Sequence, residues 1–136
     1  MAFDGIVIAN LAKELNHKLA DGRITKIAQT ESDKLLLTIK KSISSPEQKT
    51  IRTQNRLVIS VNPSLPLLYL TQENQNAPLQ APTFCMVLRK HLNNCKINLI
   101  EQIGLERVLC MHLEHLNEMG DYCRKKLYIE LMGKHS

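Results

Sequence analysis

The chain has 136 residues, enough for one domain with a sizeable buried core. Hydrophobic residues make up 43% and charged residues 23%, which is ordinary for a globular protein. No apolar run reaches the roughly 18 residues of a membrane-spanning helix, so no transmembrane helix is predicted. The length leaves no room for a second large domain within the chain. The formal net charge of +5 favours a polyanionic partner, although charge alone does not identify one.

The N-terminus and the cysteines indicate a cellular compartment. Asp4 stands where a secretory signal would carry Lys or Arg, and no small-residue cleavage site follows, so we expect a cytoplasmic protein. In that compartment the cysteines are expected to be free thiols. Their spacing is wide and contains no C-x-x-C pair, so the sequence predicts neither a metal site nor a cofactor. The four cysteines are Cys85, Cys95, Cys110 and Cys123.

The first half of the chain predicts one helix followed by antiparallel strands. Residues 4–19 are expected to be helical, with Asp4 as the N-cap and Asp21-Gly22 as the stop. Strands are expected at residues 23–29, 34–40, 56–61 and 67–71, the first two forming a hairpin. The polar residues 41–55 are interpreted as a mobile surface loop. The apolar stripe of the helix consists of Ile8, Leu11, Ala12, Leu15 and Leu19.

The second half begins with an amphipathic helix in F-C-M-V-L-R-K-H-L, where Pro82 suits the first helical position or Thr83 could act as the cap. Strands are expected at residues 96–103, 107–116 and 125–132, with a turn at 117–123. This order of helices and antiparallel strands predicts the α+β class. The predicted apolar face of the helix consists of Phe84, Val87, Leu88, His91 and Leu92.

A basic surface is predicted where this helix leads into the following strands. Arg89 and Lys90 lie on its polar side, and Glu106 and Arg107 follow Gly104-Leu105 at the start of a strand. A planar guanidinium suits phosphate or base-edge contacts better than an ammonium does. From the residues alone, the favoured interpretation of Glu106-Arg107 is a surface turn with an ion pair that contributes little to stability, and that of Arg89 and Lys90 is an ordinary solvated helix face.

A second basic run, R-K-K at residues 124–126, fits either protection of an edge strand or contact with phosphates. Aromatic residues make up only 4% of the chain, and Phe84 is assigned to the core. Contacts to the nucleic-acid backbone, rather than base stacking, are therefore the expected mode of any RNA binding.

Five separated motifs resemble the N-terminal domain of the NFACT family, which groups bacterial RqcH-like and eukaryotic NEMF-like proteins. They are F-D-G-I-V, G-R-I-T-K-I, N-P-S-L-P-L-L-Y-L-T, the run F-C-M-V-L-R-K-H-L with the later I-E-Q-I-G-L-E-R-V-L, and L-M-G-K-H-S. The resemblance covers nearly the whole chain. It implies an antiparallel β-sandwich-like domain with flanking helices, similar to the N-terminal domain of the Fpg/MutM DNA glycosylases. It also implies that these 136 residues are one domain of a longer protein.

The same resemblance implies a function in ribosome-associated quality control. The family's first helix carries an Asp, matched by Asp4, and a later acidic residue followed by Arg, matched by Glu106 and Arg107; these positions are implicated in tRNA recruitment. The family usually has Asp where this chain has Glu106, so the carboxylate lies one methylene farther out. Arg89 and Lys90 would add electrostatic support. The implied partners are tRNA and the large ribosomal subunit with peptidyl-tRNA, and the implied role is C-terminal tailing of stalled chains.

Two other classes of function fit the sequence less well. A glycosylase of the Fpg type needs an N-terminal proline as nucleophile, whereas this chain begins M-A-F-D and has no proline before Pro46, so no enzyme activity is predicted. His112 and His115 lie three apart on a predicted strand and cannot share a metal. The alternative is a cell-surface adhesion protein that binds fibronectin or fibrinogen, a label that bacterial family members often carry. Without a signal peptide, the sequence argues against it.

Overall fold

Two helices and seven strands make up the part of the chain that the structure, a computed structural model, describes: residues 5–31, 34–44, 50–61, 67–72, 82–104 and 107–131. In chain order they are α1 (Gly5–Leu19), β1 (Arg23–Glu31), β2 (Lys34–Ser44), β3 (Thr50–Ser60), β4 (Leu67–Thr71), α2 (Thr83–Leu92), β5 (Lys96–Gln102), β6 (Val108–Leu116) and β7 (Tyr122–Glu130). The predicted α+β class is confirmed. Neither helix in these ranges is long and apolar enough to cross a membrane.

The seven strands form one antiparallel sheet in the order β4-β3-β2-β1-β5-β6-β7. Long ladders join the strands within each half, but β1 and β5 share only the pair Arg23–Lys96. Both halves nevertheless contribute to one hydrophobic core, with Leu57 from one half and Ile97 and Met111 from the other all fully buried. The predicted sandwich-like arrangement is therefore one sheet, whose two halves meet at a narrow seam and share a core.

Helix α1 lines this seam. Its apolar stripe is as predicted, with buried Ile8, Ala12, Leu15 and Leu19 and half-buried Leu11. On the edge of β5 that β1 does not reach, the backbone N–H of Ile100 donates to Asn16 Oδ1 at 2.9 Å. Just after the helix, Asp21 N donates to Ile97 O at 2.7 Å, and Ile97 N donates to Gly22 O at 2.8 Å. The helix and its C-terminal turn thus satisfy β5 backbone groups that β1 does not reach.

The turn that ends α1 uses its two residues differently from the prediction. Asp21, not Gly22, takes the left-handed conformation, with a φ of 70°. Asp tolerates this region better than most residues. Gly22 is required for another reason: an added Cβ would lie 2.7 Å from Ile39 Cγ2 and 3.0 Å from Leu19 O. Glycine here permits close packing of the helix end against β2.

The prediction of a loop at residues 41–55 is wrong for most of its length. β2 continues to Ser44 and β3 begins at Thr50, and the two strands pair without interruption from Lys40–Gln54 to Ser44–Thr50. Residues 45–49 lie outside the described ranges. The polar sequence was misleading because this hairpin extends past the buried part of the sheet, where a ladder needs no apolar face.

Helix α2 packs on β1 through a face that differs from the predicted one. The buried residues are Cys85, Leu88 and Leu92. Phe84, Val87 and His91, which were assigned to the buried face, are exposed. The prediction counted the long apolar side chains, whereas the small thiol of Cys85 allows α2 to approach β1 closely. Its start is also shifted, because Pro82 is the N-cap and Thr83 is the first helical residue.

Candidate nucleic-acid interface

Arg107 lies at the turn between β5 and β6. Gly104 has a φ of 59°, so the chain reverses at the predicted break. The carbonyl of Arg107 accepts a hydrogen bond from Leu131 N at 2.9 Å, which ties the residue to the end of β7. Its side chain is half-buried and makes no hydrogen bond or ion pair with another described residue. The other two predicted contacts, Asp4 and Glu106, lie outside the described residues.

Arg89 and Lys90 lie in the last turn of α2, where cations are favoured near the negative end of the helix dipole. Arg89 also has a structural bond, because its Nε donates to Ile27 O of β1 at 2.8 Å. From the other side, Lys125 of β7 donates its Nζ to His91 O at 2.9 Å. Lys90 is exposed and makes no such bond with the residues that are described, whereas Arg89, which is exposed as well, is bonded through its Nε.

The predicted site residues do not gather into one cluster in the part of the chain that is described. Arg107 is bonded to Leu131, whereas the last turn of α2 is bonded to Lys125. These two anchors are six residues apart, or roughly 20 Å along an extended strand at about 3.4 Å per residue. The last turn of α2 is therefore held beside the middle of β7, whereas Arg107 is held just past the C-terminal end of that strand.

A further basic surface lies on the outer face of β5, β6 and β7. Strand register sets side chains there in three cross-strand rows: Lys96–Glu114–Arg124, Leu99–His112–Lys126 and Glu101–Cys110–Tyr128. An open groove of about 780 Å³ runs beside the second row and is lined by Asn98, Leu99, His112, Leu113, Arg124, Lys125 and Lys126. We call it the basic groove. Neighbouring cations of this kind suit contacts to phosphates.

The assignment of Phe84 to the core is wrong. Its side chain is 56% exposed, and Tyr69, Tyr122 and Tyr128 are exposed as well. All aromatic residues with a described side chain therefore reach the surface, so they are available for stacking on bases. Phe84 also borders an apolar groove of about 280 Å³, together with Leu88, Leu127 and Ile129 among others.

The family model for the NFACT N-terminal and middle domains matches residues 4–136. The chain belongs to the NFACT family. This NFACT chain is 38% identical over all of its 136 residues to "Rqc2 homolog RqcH" of Bacillus subtilis, and equally to the protein of that name from Streptococcus pneumoniae. It covers 22% and 23% of those two proteins, so it spans less than a quarter of the relatives that it matches.

Solved structures of similar proteins have the same fold. The N-terminal domain of fibronectin-binding protein PavA from Streptococcus pneumoniae is 36% identical with a TM-score of 0.84, and the match covers 98% of this NFACT chain and 47% of that one. The fibrinogen binding protein from Staphylococcus aureus is 30% identical with a TM-score of 0.80, covering 99% and 44%. The family predicted from the five sequence motifs is thus confirmed.

Proposed function

We propose that this NFACT chain is a tRNA- and ribosome-binding module of a cytoplasmic ribosome-associated quality control factor. The observation that carries the proposal is its 38% identity, over its full length, to proteins named as Rqc2 homologues. In this proposal the module is not an enzyme. It positions tRNA on the large ribosomal subunit, and the ribosome supplies the peptidyl-transfer chemistry that extends the stalled chain at its C-terminus.

Arg107 is the central tRNA contact of the proposal, with Asp4 and Glu106 beside it by family resemblance. Two features of Arg107 support this role. Its backbone is fixed to Leu131 at the end of β7, and its guanidinium has no partner among the described residues. A fixed backbone with an uncommitted guanidinium is well suited to a charge-assisted contact with RNA.

Electrostatic support would come from Lys90 and from the basic groove, whose Arg124 and Lys126 side chains point outward from β7. Arg89 contributes less to RNA binding in this proposal, because it already bonds Ile27 O. We also propose that the fold resembles the N-terminal domain of the Fpg/MutM glycosylases. Those enzymes act on DNA, whereas this chain would use the fold only to bind RNA.

The test is a set of substitutions at Arg107 in the full-length protein. Arg107→Ala should remove a contact that contributes about 1–3 kcal/mol, a roughly tenfold to hundredfold loss of tRNA occupancy. It should change the free energy of unfolding by no more than about 0.5 kcal/mol, because the side chain is not in the core. Arg107→Lys keeps the charge but not the planar fork, and should restore tRNA binding only in part.

Arg52→Ala serves as the matched control, because Arg52 is exposed on β3 and its loss changes the net charge equally. Copurified tRNA and large subunits are quantified for each variant beside a melting curve. We expect Arg107→Ala to lose tRNA and tailing but to retain large subunits. Normal tRNA occupancy in Arg107→Ala, or an equal loss in Arg52→Ala, would contradict the role of Arg107.

The second candidate is binding to fibronectin or fibrinogen, and it is favoured by the names of the structural relatives from Streptococcus pneumoniae and Staphylococcus aureus. The same preparations distinguish the two. Saturable binding of immobilised fibronectin, with no tRNA or ribosomal subunits recovered from cells, would favour adhesion and overturn the first proposal.

A further inference from the structure

Three side chains with metal-binding atoms converge on the outer face of the sheet. One carboxylate oxygen of Glu101, the Sγ atom of Cys110 and a ring nitrogen of His112 all lie within 4.8 Å of one another. Glu101 Oε1 and His112 Nε2 are only 2.7 Å apart. The three residues come from two neighbouring strands, β5 and β6.

The strand register explains the convergence. Cys110 and His112 are two residues apart on β6, so their side chains project from the same face. Glu101 of β5 is the direct cross-strand partner of Cys110. Directly opposed side chains in an antiparallel pair have Cβ atoms only about 4.5–5.5 Å apart. The three ligand atoms are thereby placed together by regular sheet geometry, without a loop.

Cys110 is unusual for its position. It projects from the outer face, yet only 1% of it is exposed, and it is not part of either hydrophobic core cluster. Glu101 and His112 retain 44% and 27% of their side-chain exposure. The cluster thus consists of a buried thiol beneath a partly exposed carboxylate and a partly exposed imidazole. An ordinary Glu–His hydrogen bond accounts for the two half-exposed side chains but not for the thiol placed beneath them.

We propose that Glu101, Cys110 and His112 bind a single Zn²⁺ ion, with the fourth coordination position open to solvent. Thiolate, imidazole and carboxylate are all ordinary zinc ligands, at about 2.0–2.3 Å from the metal. Ligand atoms within 4.8 Å of one another can reach this geometry after small side-chain movements. The ion would take the place of the hydrogen bond between Glu101 and His112 and displace the thiol proton of Cys110, so affinity rises with pH.

Two residues on β7 complete the surroundings. Tyr128 lies directly opposite Cys110. Lys126 lies opposite His112, and its positive charge lowers the pKa of Cys110, partly offsetting the increase caused by burial and by Glu101. With two anionic ligands and one divalent ion the centre is neutral, so Lys126 meets no net positive charge.

The experiment titrates the chain with Zn²⁺ against a chromophoric chelator, and with Co²⁺ as a spectroscopic probe. We expect one ion per chain and a near-ultraviolet thiolate-to-cobalt charge-transfer band. Cys110→Ser should abolish the band, and His112→Gln should weaken Zn²⁺ binding by more than the roughly 10- to 100-fold typical of a residue outside the ligand set. Tyr128→Phe should stay within that smaller range.

Cys123→Ser and His115→Gln are the matched controls, because His115 lies on β6 and Cys123 on the neighbouring β7, both outside the cluster. Circular dichroism checks that each variant is folded. If the Cys110 variant does not fold, Glu101→Gln tests the site instead, because Glu101 is half-exposed. Loss of binding in the three site variants with intact controls supports the proposal. Substoichiometric binding, binding that survives Cys110→Ser in a folded chain, or loss in Cys123→Ser overturns it.

Discussion

Asn16 shows how one side chain can replace a missing strand partner. Its Oδ1 accepts the backbone N–H of Ile100, 84 residues away in the chain. Because an unpaired buried N–H costs about 1–3 kcal/mol, Asn16→Ala should lower the free energy of unfolding by roughly that amount. Asn16→Asp retains the acceptor and should lower it less. Urea denaturation measures both, and equal effects of the two variants would contradict a role for the acceptor oxygen.

Cys95 makes the stability of the protein depend on pH in the alkaline range. Burial raises the pKa of its thiol above the ordinary value of 9.0, although Lys125 and Arg23 act in the opposite direction. The unfolded chain therefore loses this proton first as the pH rises. The corresponding stability is present below pH 9.0 and is lost as the pH rises through the folded-state pKa.

Cys95→Ala should therefore show a shallower loss of stability above pH 9.0 than the unmodified chain, whatever the variant costs in packing. Denaturation curves at successive pH values give the two slopes. Cys123→Ala, at a half-buried position, is the control. Identical slopes for the unmodified chain and Cys95→Ala would show that the thiol does not contribute.

For single residues, the sequence predicted the place of a residue on its helix, strand or turn better than the other side chains that it contacts. Arg107 was correctly placed after a chain reversal, because Gly104 is a local signal. Alternation along a strand places Cys110 and His112 on one face, but no local pattern connects Glu101 to them. The C-x-H pattern at residues 110–112 was the available signal, and only the pairing of β5 with β6 supplies the third residue.

Among the elements, the hairpin of β2 and β3 differs most from expectation. Its far part pairs residues such as Lys41 and Thr53, and Thr53 Oγ1 donates to Lys41 O at 3.4 Å. Alternate backbone N–H groups there should exchange with solvent deuterium more slowly than in an unstructured segment. Hydrogen exchange followed by mass spectrometry or NMR checks this. The exposed Glu118 in the turn after β6 provides the fast reference. Equally fast exchange at residues 40–42 would favour a loop there.

Helix α2 shows why periodicity alone did not identify the buried face. Its ten residues contain apolar side chains on more than one side, so several faces fit a helical repeat. Packing against β1 determines which face of α2 is buried. The Ile27 carbonyl of β1 accepts a hydrogen bond from Arg89 and also contacts the Cys85 thiol. Regular alternation leaves no such choice in β6, where Leu109, Met111 and Leu113 share one face and all belong to the hydrophobic core.

For the whole molecule, both helices and all seven strands were predicted near their observed positions, because hydrophobic patterns and turn residues are local. The seam was not predicted. Arg23 and Asn94, which are hydrogen bonded across it, are 71 residues apart, and no local pattern marks that pairing. Asp4 and Glu106 remain predictions, as do the partners of the protein.

The distribution of positive charge predicts how RNA binding responds to salt. The formal charge of +5 includes cations on α2 and on the outer face of β7, separated from Arg107. Binding of tRNA to this chain should therefore be weak and strongly salt-dependent, with a log–log slope of roughly −0.7 to −0.9 per phosphate contact. Fluorescence titrations at several salt concentrations measure it. A tight, salt-insensitive complex would point instead to stacking on the exposed aromatic residues.

The narrow seam between β1 and β5 also has a consequence for the order of folding. Each half of the sheet is built from hairpins that close short loops, whereas the seam joins residues more than 70 positions apart. The entropy lost on closing a loop increases with its length, and non-local pairing slows folding. The hairpins can therefore form early, while α1 and β5 meet late. Substitutions at the seam should then accelerate unfolding much more than they slow folding.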